Sequence, residues 1–144
     1  MDIKNIQIAA TSFRNAIEAI SPSLGISFES FPRGSCGDAT PMLGTYLIEQ
    51  GLGEFQYMAG DYGSESEGNW SSHAWLQSGD IFVDITADQF PDVIDPVIVQ
   101  ENSEWHAGLG GKAQNLGDYR VYDPSTVANL GRLYAMIVAE INAT

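Results

Sequence analysis

Ser72-His73-Ala74-Trp75-Leu76-Gln77-Ser78-Gly79-Asp80-Ile81-Phe82-Val83-Asp84 is the stretch that decides the fold. It reads as two strands folded back on a tight turn. A two-residue hairpin turn needs backbone positions with φ > 0, and Gly79 supplies one without strain. If Ser78-Gly79 forms the turn, Gln77 pairs with Asp80, Trp75 faces Phe82 and His73 faces Asp84. Directly opposed residues carry their Cβ atoms roughly 4.5–5.5 Å apart on one face, within reach of an imidazole–carboxylate hydrogen bond. If Gly79-Asp80 forms the turn instead, His73 faces Thr86 and Asp84 becomes its diagonal neighbour, still on the same face. A three-residue turn would separate the two onto opposite faces.

Around this hairpin the chain alternates between helical and strand-like patterns. Ile3, Ile6, Ala10, Phe13, Ile17 and Ile20 step by three and four, which marks one face of a helix over about residues 3–20. Ser21-Pro22 and Gly25 end it. Residues 26–37 read as loop. A second helical face runs through Ala39, Met42, Leu43, Tyr46 and Leu47 and stops near Gly51. Its start is open. Asp38 as N-cap places Pro41 at the third helical position, where a missing N–H costs little. Ser35 as N-cap brings Cys36 into the first turn but makes Pro41 delete a helix bond. Both choices leave Cys36 within a turn of the helix N-terminus.

Residues 55–62 and 93–100 are further strand candidates, the latter weakened by Pro96. Residues 102–119 read as glycine-rich and irregular. Asp123-Pro124 opens a C-terminal helix whose face is Val127, Leu130, Tyr134, Ile137 and Ile141. No linker or repeat divides the chain. The expectation is one α+β domain over residues 1–144, with helices flanking a small antiparallel sheet.

Composition bounds the function. The net charge of −13 repels phosphate backbones and anionic membranes, so nucleic acid and membrane surfaces are not expected as partners. No stretch approaches the ~20 apolar residues of a membrane span. The opening residues carry one lysine and no apolar run of signal-peptide length, so a cytoplasmic location is the expectation. Cys36 is the sole cysteine, which excludes an intrachain disulfide and a thiolate-rich zinc site. The acidic positions Asp84, Asp88, Asp92 and Asp95 lack the glycine and spacing of a calcium loop, and no metal is expected there. The glycines at 108, 110 and 111 open no helix after a strand and are not read as a phosphate loop. No cofactor is expected.

Three residues remain that together make chemistry. A thiol reacts as thiolate, and both a helix N-terminus and a neighbouring imidazolium favour that form. Cys36 has the first by position, and His73 supplies the second if the hairpin packs on its helix. Asp84 would orient His73 and hold its tautomer, the third member of a catalytic triad. The Cys36 backbone N–H is one oxyanion donor, and the sequence names no second. Taken singly, each residue also suits a plain structural role. Trp75 shares the face of His73 and is expected as a wall of the site. His106, in Trp105-His106-Ala107-Gly108, reads as a structural or surface residue, with a substrate-lining or alternative-base role open.

The runs Arg33-Gly34-Ser35-Cys36, His73-Ala74-Trp75 and Val83-Asp84 resemble the transglutaminase-like branch of the papain-like thiol enzymes. The Arg-Gly-x-Cys run is similar to arylamine N-acetyltransferases, and His-x-Trp to transglutaminase-like peptidases. The resemblance covers residues 31–90, and the glutamine that papain-type enzymes place ahead of the cysteine is absent. It implies a helix beginning at the cysteine, packed on an antiparallel sheet that delivers histidine and then aspartate. It also implies acyl transfer on an amide, ester or thioester through a thioester, with Cys36 as nucleophile, His73 as general base and Asp84 as orienter. Arg33 and Trp75 are then the candidates for contact with a peptide or small-molecule acyl substrate. The competing expectation is a non-catalytic, acidic protein-binding module on the same fold.

Overall fold

A computed structural model describes residues 1–144. Four helices, α1 (Ile3–Ile20), α2 (Cys36–Glu49), α3 (Glu104–Ala107) and α4 (Pro124–Asn142), accompany five strands. The strands are β1 (Gln56–Tyr62), β2 (Ser71–Ser78), β3 (Ile81–Asp84), β4 (Ile98–Glu101) and β5 (Lys112–Leu116). They form one antiparallel sheet in the order β4-β3-β2-β1-β5. The architecture is α+β. No helix is long and apolar enough to cross a membrane.

The long helices form where their caps and apolar faces agree. Asp2 accepts the Asn5 N–H at 3.1 Å to start α1, and Asp123 accepts the Thr126 N–H at 3.1 Å to start α4, with Pro124 at the first helical position. The face of α1 buries Ile6, Ala10, Phe13 and Ile17 against Leu130, Leu133 and Ile137 of α4 and Met42, Leu43 and Leu47 of α2. Leu76 and Val83 close this core from the sheet. Each such side chain apart from Ala10 contributes about 1.5–3 kcal/mol when fully removed from water. A second, smaller cluster of Trp75, Phe82 and Leu109 is built largely on the other face of β2 and β3, with Met58, Tyr62 and Trp105 at its margin.

The hairpin adopts the shifted turn. Ser78 pairs with Ile81 and Leu76 with Val83, so Gly79-Asp80 forms the turn, with Gly79 at φ 57°. The Ser78-Gly79 register, in which His73 directly faces Asp84, is therefore corrected by one residue per strand. Pairing between β2 and β3 ends at Leu76–Val83, and β2 runs on alone to Ser71 on that side. Residues 102–119, read as irregular, contain both α3 and β5. Strand β5 pairs with β1 as an exposed edge and carries polar side chains, so no apolar alternation announces it.

α2 begins at Cys36 with Ser35 at the N-cap, and Pro41 lies inside it. The bond that Pro41 cannot make is tolerated because the helix is fixed by packing. Gly44 lies so close to Gly117 that an added Cβ would sit 1.8 Å from the Gly117 carbonyl oxygen. Next to it, the Thr45 hydroxyl bonds Asp118 at 2.8 Å.

Candidate functional site

His73 projects from β2 into the smaller cluster. Its ring stacks on Trp75 with centroids 6.0 Å apart and meets Phe90 and Trp105 edge-on at 5.1 and 5.7 Å. Asp84, the last residue of β3, is 2% exposed. The His73 Nε2 lies 2.6 Å from Asp84 Oδ2, the diagonal contact that the shifted turn permits. The same oxygen lies 2.7 Å from Nε2 of His106. The Thr86 N–H donates to Oδ1 at 2.9 Å. Asp84 is thus a buried acceptor shared by two histidines and a backbone amide.

His106 belongs to α3, whose N-cap Ser103 accepts the His106 N–H at 3.3 Å. The Ser103 hydroxyl lies 2.6 Å from His106 Nδ1. Because the Asp84 carboxylate accepts, His106 carries a proton on Nε2, directed at Asp84. The sequence reads His106 as a structural or surface residue; it is buried instead, and its link to Asp84 was missed because nothing local ties residue 106 to a hairpin twenty-two residues earlier. One local signal was present: Ser103 followed by Glu104 marks a helix start.

Charge follows geometry. Burial disfavours ionised Asp84, but hydrogen bonds from His106 and His73 outweigh it and hold the carboxyl well below the usual carboxylate range. Burial likewise opposes a charged His73, yet hydrogen bonding and charge from Asp84 and Cys36 raise its pKa to about 9. His73 is therefore a strong base held beside a carboxylate. With Nε2 held on Asp84, Nδ1 is the remaining ring nitrogen, and the Gln89 side-chain N–H can donate to it at 3.4 Å.

Arg14 of α1 keeps this end of the sheet in place. It is buried, forks onto Asp88 at 2.7 and 2.9 Å, and donates to the carbonyls of Ile85 and Pro96 at 2.8 and 3.1 Å. Its fork thereby pins the short turn Ala87–Gln89 that presents Gln89 to His73.

A cavity of about 370 Å³ opens where β2 leaves β3. Cys36, His73, Gln89, Gly34, Tyr57 and Ser72 are among its lining residues. Cys36 is half-buried, a free thiol at the first position of α2. Cys36 and His73 line this cavity together; Asp84 does not line it and is joined to it through its hydrogen bond to His73. Trp75 is 1% exposed, lies behind His73, and does not line this cavity. Arg33 sits in the turn before Gly34 and does not line it either.

The donor atoms of His73, Asp84 and His106 lie within 4.8 Å of one another, so these three residues could hold a metal ion. Every buried side-chain nitrogen and oxygen here already has a hydrogen-bond partner, so the group is also complete as it stands. Chemically, the site offers a base and a thiol in one cavity, with the base's counter-charge buried behind it. Compared with protein-family models, with curated proteins and with solved structures, the chain gives no match. Fold and site together define an α+β protein with a buried His–Asp–His group beside a cysteine-bearing helix N-terminus.

Proposed function

We propose that the protein is a cysteine-dependent acyl-transfer enzyme, with Cys36 as nucleophile, His73 as general base and Asp84 as orienter. The observation that carries this reading is that Cys36 and His73 line one cavity while the far nitrogen of His73 is anchored on buried Asp84. Anchoring through Nε2 turns Nδ1 outward, as proton exchange with a thiol requires. The helix N-terminus adds its partial positive charge to favour a thiolate.

The reaction would begin with Cys36 attacking an amide, ester or thioester carbonyl. His73 would protonate the leaving group and then activate water or an amine to release the thioester. A cysteine-initiated helix packed on an antiparallel sheet, followed by histidine and aspartate on adjacent strands, supports kinship with the transglutaminase-like branch of papain-like enzymes. The cavity lining has no charged side chain apart from the candidate pair, which suits a neutral acyl group.

The test is the pH dependence of Cys36 alkylation by iodoacetamide in wild type and His73→Ala. An activated thiol reacts with an apparent pKa well below the ordinary value of about 8.5. His73→Ala should restore the ordinary value and slow the reaction at pH 6 by about tenfold or more. A profile that follows an ordinary thiol in both proteins would remove the enzyme reading and leave the acidic binding module.

A further inference from the structure

An acyl-transfer site must stabilise the oxyanion that forms when the carbonyl is attacked. The first turn of α2 offers donors for it. Ser35 occupies the N-cap position but donates its hydroxyl to the Ser27 carbonyl at 2.6 Å and caps nothing. The Ser35 carbonyl takes the N–H groups of Asp38 and Ala39 at 3.2 and 2.8 Å. The N–H groups of Cys36 and Gly37 are left without an acceptor in the chain.

A side chain faces the same turn. Tyr57 of β1 lines the cavity with Cys36 and His73. Its hydroxyl lies 3.9 Å from where a Cβ on Gly37 would stand, beside the residue that follows the nucleophile. No side chain or backbone group hydrogen-bonds it, and it is not sealed away from the cavity. Burial, with the nearby Cys36, Tyr122 and Asp38, pushes its pKa up to about 12. The hydroxyl keeps its proton across the neutral range and remains a donor.

We propose that the Tyr57 hydroxyl is the side-chain donor of an oxyanion hole that the free amides of Cys36 and Gly37 complete. This rests on the cysteine reading above. In the step concerned, the Cys36 sulfur bonds the carbonyl carbon and the C=O π pair moves onto oxygen, where Tyr57 and the amides meet it. Collapse restores the C=O bond and breaks the bond to the leaving group. The leaving group departs with the proton from His73 Nδ1, and Cys36 is left as a thioester.

Two probes of the same thiol separate the roles. Iodoacetamide alkylates by displacement at a methylene and forms no oxyanion. p-Nitrophenyl acetate acylates through one. Rates are measured in wild type and Tyr57→Phe, with Cys36→Ala as the baseline for acetylation elsewhere. Tyr57→Phe should slow acylation about 10²-fold and leave alkylation within about twofold of wild type. Unchanged acylation, or an equal fall in both rates, overturns the assignment of Tyr57. A wild-type thiol that alkylates no faster than free cysteine overturns the cysteine reading itself, and Tyr57 with it.

Discussion

Asp84 is the residue on which the site turns, and its partners make its contribution depend on pH. His73 has a folded pKa raised from 6.5 to about 9. The stabilisation it reflects is fully present below about pH 6.5 and is lost as pH rises through about 9. The Asp84 carboxyl is depressed, so its stabilisation is present above the ordinary carboxylate range and is lost as pH falls through its lowered value. The pair is thus worth most near pH 5–6.5. Asp84→Asn leaves the charged His73 without its buried counter-charge and takes an acceptor from His106, and it should cost about 3–5 kcal/mol at pH 6. Denaturant unfolding at pH 6, 8 and 10 should show the gap between wild type and variant shrinking as pH rises. A constant gap would mean that the residue acts only as a neutral acceptor. The hairpin pattern placed His73 and Asp84 together because both admissible two-residue turns keep them on one face. The choice between a direct and a diagonal contact lay in a one-residue shift that the residues of the turn do not settle. His106 was illegible because its link to Asp84 is purely tertiary.

At the scale of elements, α2 is held by contact rather than by propensity. Pro41, two glycines and two threonines in fourteen residues make it a poor helix by composition, and its N-cap makes no cap bond. Its position is fixed where Gly44 meets Gly117, backbone against backbone. Gly44→Ala therefore forces the helix away from the 117–119 segment, and the cost should exceed the ~1–3 kcal/mol of ordinary overpacking. At this chain length that corresponds to a fall in Tm of about 5 °C or more. Gly37→Ala, on the same helix, brings only a 3.9 Å contact with the Tyr57 hydroxyl and should leave Tm within about 2 °C. Equal losses from the two changes would show that helix propensity, not the close approach, sets the stability of α2. α1 and α4 were readable because cap and apolar face coincide in each. β5 and α3 were not: Lys112-Ala113-Gln114-Asn115-Leu116 is a polar edge, and four residues of α3 are too few to show a period.

Over the whole molecule, charge and site work against each other. The helix terminus and the base at His73 create a local preference for anions, while a net charge of −13 surrounds them. The two fields differ in range. Local contacts act within a few ångströms, and the global field is screened over about 10 Å at 0.1 M ionic strength. Salt therefore separates them. Iodoacetate and iodoacetamide carry out the same displacement on Cys36 but differ by one negative charge. Raising ionic strength from about 0.01 to 0.5 M should increase the iodoacetate rate relative to that of iodoacetamide by about threefold or more, since repulsion of the anion is what salt removes. A ratio that falls with salt would mean that the positive end of α2 and His73 dominate the approach as well as the contact. Under the proposed acyl-transfer function, anionic acyl substrates would then be favoured over the neutral ones that the uncharged cavity lining suggests.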